Sequence, residues 1–254
     1  VKPQAAIKAL LLDLDGTLLR NDMEQFVPAY LEAAGRFLGN RIAPERLIRE
    51  LLRATRIMAA NRGDGATNEE VFAATFYPAV GVDRAELEPL FMRFYSEEFP
   101  GLRRFTQAVP EAPKLVRWAF ECGLKVVVAT NPLFPRTAIE QRLDWAGVGV
   151  DAHPYALVTT YENMHASKEN PAYYREILDR IGCSPEACLM VGDDWVWDME
   201  NASKLGIRGW WVAPEDEPRP AESGSVFGQG TLADLWRLIL AGNRDPQTLA
   251  RSAD

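Results

Sequence analysis

The chain has 254 residues, 47% of them apolar and 25% charged, enough to bury an ordinary core in one large domain or two smaller ones. Acidic residues outnumber basic ones 36 to 28, a formal net charge of −8, which argues against an extended nucleic-acid footprint. There is no long apolar span or signal-peptide pattern, so neither membrane nor export is indicated, and Cys122, Cys183 and Cys188 lack disulfide-framework or metal-ligand spacing and fit a reducing, cytoplasmic setting.

Residues 6–14 form a dense apolar run of the kind that fills a strand buried on both faces of a parallel sheet. From about Glu24 to Phe105, helical periodicity follows helical periodicity with no convincing strand, in segments 26–39, 43–60, 67–80 and 84–99. That stretch is too long for a loop and should be a small helical domain inserted after the first strand. The chain crosses between the two parts near Arg20–Asn21 and Arg104–Pro110, which is where a hinge is expected.

Strand and helix then alternate. A helix over 109–123 carries Leu115, Trp118 and Ala119 on one face and stops at Gly123. A strand over 125–130 follows, then a helix over 135–147 and a short strand over 155–160. A helix over 170–182 opens with Asn170 as cap and Pro171 in its first turn. Strands over 187–193 and 207–212 complete the pattern. Such alternation predicts a doubly wound parallel α/β sheet. The expected domains are a Rossmann-like core (1–20 and 106–242), a helical cap (21–105) and an exposed or loosely docked tail (243–254).

The polar residues are placed unusually. A buried, unpaired carboxylate is costly, yet the first strand ends in Asp13, with Asp15, Gly16 and Thr17 directly after it. A second strand ends in Thr130 and Asn131, and a third in Asp193 and Asp194, with Asp198 four residues beyond. Ligands of open parallel sheets bind beyond the carboxyl ends of the strands, so the three clusters are expected to meet on one edge. So many carboxylates in one place call for a hard divalent cation with oxygen ligands, and Mg²⁺ takes one or two carboxylates plus water and substrate phosphate. Asp13 would then stay ionised as a nucleophile. A threonine hydroxyl, a lysine and loop amides near Gly16 supply the remaining parts of a phosphoryl-transfer site.

The stretch DLDGT after an apolar strand, a strand-end threonine, and a lysine upstream of GDDWVWD together resemble the haloacid dehalogenase superfamily, over about 7–20 and 106–240. The helical insert resembles that superfamily's cap in position and length. The resemblance implies a Mg²⁺-dependent phosphatase. Asp13 matches the nucleophile that forms an aspartyl-phosphate. Asp15 matches the general acid and base, with its carbonyl a metal ligand. Thr130 matches a phosphate-binding hydroxyl, Lys168 the ammonium that steadies the nucleophile, and Asp193 the metal-ligating carboxylate. Asp194 and Asp198 would hold metal-bound water or anchor Lys168, with direct ligation or a plain helix cap as alternatives for Asp194. Asn131 is open between a phosphate contact and a turn.

The superfamily's true dehalogenases lack a carboxylate at the position of Asp15, so a small-molecule phosphate ester is the expected partner. A phosphomutase and a non-catalytic binding protein on the same fold are the competing readings. Relatives commonly read Lys-Pro-x-Pro at the lysine, where this chain has Lys168-Glu169-Asn170-Pro171. Trp195 and Trp197 either line the cleft or pack, and His165 is not needed for the chemistry. In the cap, Arg56, Asn61 and Arg62 either reach over the site or form a solvated helix end and turn. Nothing in the sequence names the substrate or the oligomeric state.

Overall fold

The computed structural model describes residues 5–63, 65–220 and 226–250. In chain order, β1 (Ala9–Leu12) and β2 (Leu19–Asn21) lead into four helices, α1 (Met23–Leu38), α2 (Pro44–Ala59), α3 (Asn68–Val80) and α4 (Arg84–Glu97). The chain returns through β3 (Thr106–Ala108), then α5 (Ala112–Glu121), β4 (Lys125–Val128), α6 (Arg136–Trp145), β5 (Leu157–Val158), α7 (Ala172–Ile181) and β6 (Cys188–Gly192). A π-helical turn, Trp195–Glu200, runs into the short α8 (Asn201–Ser203), followed by β7 (Arg208–Val212), β8 (Val226–Gly230) and α9 (Leu232–Ala241).

Six strands form one parallel sheet in the order β5-β4-β1-β6-β7-β8. β1 is central, with Leu10 opposite Val126 of β4 on one side and Leu189 of β6 on the other. Its side chains alternate between two cores. Leu10 and Leu12 join Leu115, Ile139 and Leu235, whereas Ala9 and Leu11 join Tyr173, Ile177 and Met190. All four β1 residues are fully buried, which is why the run reads as continuously apolar. The chain proceeds from β1 to β4 and β5, then returns to the opposite side of β1 with β6. The tips of β1, β4 and β6 therefore flank the point where strand order reverses.

The insert after β1 is helical, as expected, and has its own apolar cluster built on Leu47, Leu51, Phe76, Val80 and Leu87. Thr67 starts α3 with a capping box to Glu70, and Gly81 ends it in the left-handed conformation. The base of the insert merges with the main core: Phe26, Ala34, Phe94 and Phe99 belong to the larger cluster, and Phe99 stacks on Trp145 with ring centroids 5.5 Å apart. The two crossings pair with one another as an antiparallel ribbon, Arg20 of β2 opposite Gln107 of β3. Neither ribbon strand nor β8 is evident in the sequence. The turn between α2 and α3 docks on the core, with Ser167 Oγ donating to the Ala59 carbonyl at 2.6 Å and buried Asn68 donating to the carbonyls of Pro132 and Ala166, each at 3.2 Å.

The predicted tail is docked where it is described. Leu249 is fully buried, and Trp118 Nε1 donates to the Arg244 carbonyl at 3.0 Å. Residues 251–254 lie outside the described residues. Among the described residues no helix is long and apolar enough to cross a membrane.

Candidate active site

Asp13 is the first residue beyond β1, and its amide donates to the Val191 carbonyl at 2.9 Å, so the backbone is still sheet-bonded where the carboxylate emerges. Thr130 follows β4 and Asp193 follows β6. These three side chains, with Asp15, Asn131, Lys168, Asp194, Trp197 and Asp198, line a cleft of about 330 Å³.

At its floor lies a buried ion cluster. Lys168 Nζ donates to Asp13 Oδ1 at 2.5 Å and to Asp198 Oδ1 at 2.6 Å. Burial alone would lower the Lys168 pKa, but the Asp13 and Asp198 carboxylates override it and raise it, so the ammonium stays charged. One ammonium faces three carboxylates. Burial pushes the Asp13 carboxyl well up, against the pull of Lys168, and the charges of Asp198 and Asp193 push the same way. Asp198 is raised by its burial, again against Lys168. Asp193 reaches solvent at the cleft mouth, yet the protein packed around it, and then the Asp198 charge, push its pKa up to about 6.

The supports of the cluster are themselves tied down. Tyr174 Oη donates to the Trp197 carbonyl at 2.9 Å and lies 3.3 Å from Asp198 Oδ1. Asn201 Nδ2 donates to the Lys168 carbonyl at 2.8 Å, and the Lys168 amide donates to Asn131 Oδ1 at 3.3 Å. Tyr173 Oη donates to the Thr130 carbonyl at 2.9 Å. Thr17 Oγ1 donates to Asp193 Oδ1 at 3.4 Å.

Oxygens of Asp13, Asp193 and Asp198 lie within 4.8 Å of one another. That all-oxygen donor set fits a hard divalent cation. Gly16 keeps the space open: its φ is +88°, and a Cβ there would sit 2.1 Å from Asp193 Oδ2. Gly16→Ala is therefore expected to displace Asp193 and weaken the site for a divalent cation by about tenfold or more, read as a rightward shift in a Mg²⁺ titration of thermal stability.

The structure separates the roles weighed for several side chains. The Gly16 amide donates to the Leu19 carbonyl at 2.8 Å, so Gly16 makes room rather than offering its N–H to phosphate. Asp194 Oδ1 accepts from the Trp197 amide at 2.7 Å and caps the π-helical turn, while its own amide donates to Asp198 Oδ2 at 3.2 Å. Trp197 lines the cleft, whereas Trp195 packs edge-on against Trp211 and donates to Glu200 at 3.0 Å. His165 Nδ1 lies 2.8 Å from Glu176 Oε1, away from the cleft. Arg56, Asn61 and Arg62 are not among the cleft-lining residues. Arg56 and Arg62 are exposed, Arg62 forms a backbone bridge with Ala166, and Asn61 donates to the Ala66 carbonyl at 3.0 Å and to Asn68 Oδ1 at 2.9 Å.

One partnership had no sequence signal. Asp15 is ion-paired with Arg142 of α6, a fully buried side chain, and accepts from Asn21 Nδ2 of β2 at 2.8 Å. Arg142 reads from sequence as one more cation on an amphipathic helix, and nothing in its spacing points to a residue 127 positions away.

The model of the haloacid dehalogenase-like hydrolases matches residues 7–206. Over 176 residues, 68% of this chain and 66% of the other, the chain is 27% identical to haloacid dehalogenase-like hydrolase domain-containing protein 3 of Mus musculus; it thus spans just under two-thirds of that protein's length. It is 26% identical to the phosphoglycolate phosphatase of Rhodospirillum rubrum over 79% of this chain and 77% of that one. The 2-haloacid dehalogenase of Pseudomonas syringae pv. Tomato shares the fold, with a TM-score of 0.60 and 23% identity over 93% of this chain and 99% of that one. With the match running from the first core strand through the last acidic cluster, across the helical insert, the chain belongs to the haloacid dehalogenase-like hydrolases.

Proposed function

We propose that the protein is a Mg²⁺-dependent phosphatase that hydrolyses a small phosphorylated metabolite through an aspartyl-phosphate. The observation that carries this reading is the Asp13 carboxylate at the strand tip, held 2.5 Å from Lys168 and facing Asp193, with a second carboxylate two residues on. Phosphatase activity in the Rhodospirillum rubrum relative supports it.

Both Asp198 oxygens already accept hydrogen bonds, Oδ1 from Lys168 and Oδ2 from the Asp194 amide, whereas Asp13 and Asp193 accept side-chain hydrogen bonds through Oδ1, which leaves their Oδ2 atoms to hold the cation. The bound cation supplies charge neutralisation on the phosphoryl oxygens. The chain's own residues do the rest. An Asp13 oxygen attacks phosphorus, the bond to the leaving oxygen breaks, and protonated Asp15 delivers its proton to that oxygen. A water then attacks the aspartyl-phosphate, Asp15 takes its proton, and inorganic phosphate leaves with Asp13 restored. Lys168 offsets charge at Asp13, and the Thr130 hydroxyl donates to a phosphoryl oxygen. Asp15 must first leave Arg142 and Asn21, and Asn21 stands on the ribbon joining core and cap. Movement of the cap about that ribbon would therefore bear directly on Asp15.

The test is release of inorganic phosphate from aryl phosphates and a metabolite panel, with Mg²⁺ and with EDTA. Turnover with Mg²⁺ alone is expected. Turnover only with a bisphosphate activator, yielding an isomer, would make it a mutase, and no turnover of any ester would contradict the reading.

The charge arrangement also predicts a pH signature. The raised carboxyls make the folded protein bind more protons than the unfolded chain between the ordinary carboxylate range, about pH 4, and the Asp193 value of about 6. Metal-free stability should fall as pH rises through that window, because the folded state must give up those protons. Mg²⁺ offsets the resulting repulsion. Its increase in melting temperature should be larger at about pH 7.5 than at about pH 5; an equal increase at both would contradict the clustering.

A further inference from the structure

The cap holds a second cavity, of about 260 Å³, beside the catalytic cleft. Met23, Leu133 and Phe134 line both spaces, so the two meet at these three side chains. Its walls come from all four cap helices and from the loops after β4 and β5, the latter through Tyr161, with Leu51, Phe72 and Phe91 prominent. Leu52 and Met92 on its rim are 43% and 58% exposed, so the cavity is reachable from solvent.

The chemistry of the wall is one-sided. Glu88 is its one charged residue, and that carboxylate is engaged by Arg84 at 2.8 Å; no lysine, arginine or histidine is among the described residues that line it. The polar atoms that remain are mostly phenols. Tyr30 and Tyr95 hydrogen-bond to one another at 3.0 Å, and burial, helped by the nearby Glu88 charge, pushes Tyr77 up to about 12, so it stays neutral. A leaving group with a second negative charge would find no partner there, and burying it unpaired is costly. An apolar group would lose only its contact with water. An apolar cavity of about 150 Å³ suffices for benzene, so this one accepts a substituted ring or an alkyl chain of similar bulk.

Resting on the phosphatase reading, we infer that this cavity receives the leaving group, and that the substrates are monoesters of uncharged, apolar alcohols or phenols.

The test uses alkyl phosphonates, which keep the phosphonate head and the chain but cannot be hydrolysed. Their affinity for the 254-residue protein with Mg²⁺ is measured by calorimetry from methyl upward. Each added methylene should tighten binding about three- to fourfold until the cavity is full, with an increasingly negative heat-capacity change. A flat series, or tighter binding of a carboxyalkyl phosphonate than of the alkyl compound of equal length, would overturn the inference. Thr55→Phe narrows the cavity and should end the gain at a shorter chain; a series identical to the wild type would also overturn it. Should that variant not fold, Leu52→Gln, at an exposed rim position, should reduce the gain per methylene. Phosphate release from the matching alkyl phosphates is followed separately. Its absence beside a rising phosphonate series would fail the phosphatase reading while upholding an apolar site, and its presence beside a flat series would do the reverse.

Discussion

Asp13→Asn is expected to abolish turnover, by on the order of 10⁴-fold or more, while leaving the fold in place. The substitution removes the attacking oxygen and one of the two carboxylates left free to hold the cation. The effect on stability should be small, because two changes oppose one another. A buried carboxyl whose charged form is disfavoured disappears, and Lys168 loses one of its two anionic partners but keeps Asp198 at 2.6 Å. Steady-state phosphate release and a denaturant melt on the same preparation separate the two effects. Residual activity within about tenfold of wild type would defeat the assignment of Asp13 as nucleophile.

Lys168→Met should damage both activity and stability. The ammonium is the only cation in contact with Asp13 and Asp198 among the described residues, and all three side chains are almost wholly buried. Methionine fills much of the same volume but leaves two buried carboxylates facing each other, a change that costs about 3–5 kcal/mol when one partner of a buried pair is removed. The carboxyls, already raised by burial, will rise further, so the loss should grow as pH rises and the folded state must release their protons. Chemical denaturation at about pH 5 and about pH 8 measures this directly. Equal stability of variant and wild type at the higher pH would mean that Lys168 does not neutralise the cluster.

The sequence discloses the core because its strands are buried on both faces. β1, β6 and, past the exposed Lys125, β4 carry apolar runs, and such runs resist other readings. β8 was hidden because Val226–Gly230 contains two glycines and a glutamine. The structure explains one of those glycines: a Cβ at Gly228 would meet the Trp210 ring at 2.3 Å, so the tryptophan lies across the strand. The ribbon strands are three residues each, too short for a period to show, and they exist because the two crossings lie side by side. The acidic cluster was legible because strand ends in a parallel sheet converge on one edge. The Arg142–Asp15 pair was not, since it depends on a side chain reaching through packed protein from a helix with no marking of its own. That Asp194 caps a π-helical turn shows only once that turn is seen and its carboxylate is found on the Trp197 amide.

The most direct test of the central claim is acid quenching during turnover of a ³²P-labelled aryl phosphate, followed by peptide mapping. Label on Asp13 when Mg²⁺ is present, and none when EDTA replaces it, is the expected result. Full turnover with the label on another residue, or with no protein-bound phosphate at any time, would contradict it.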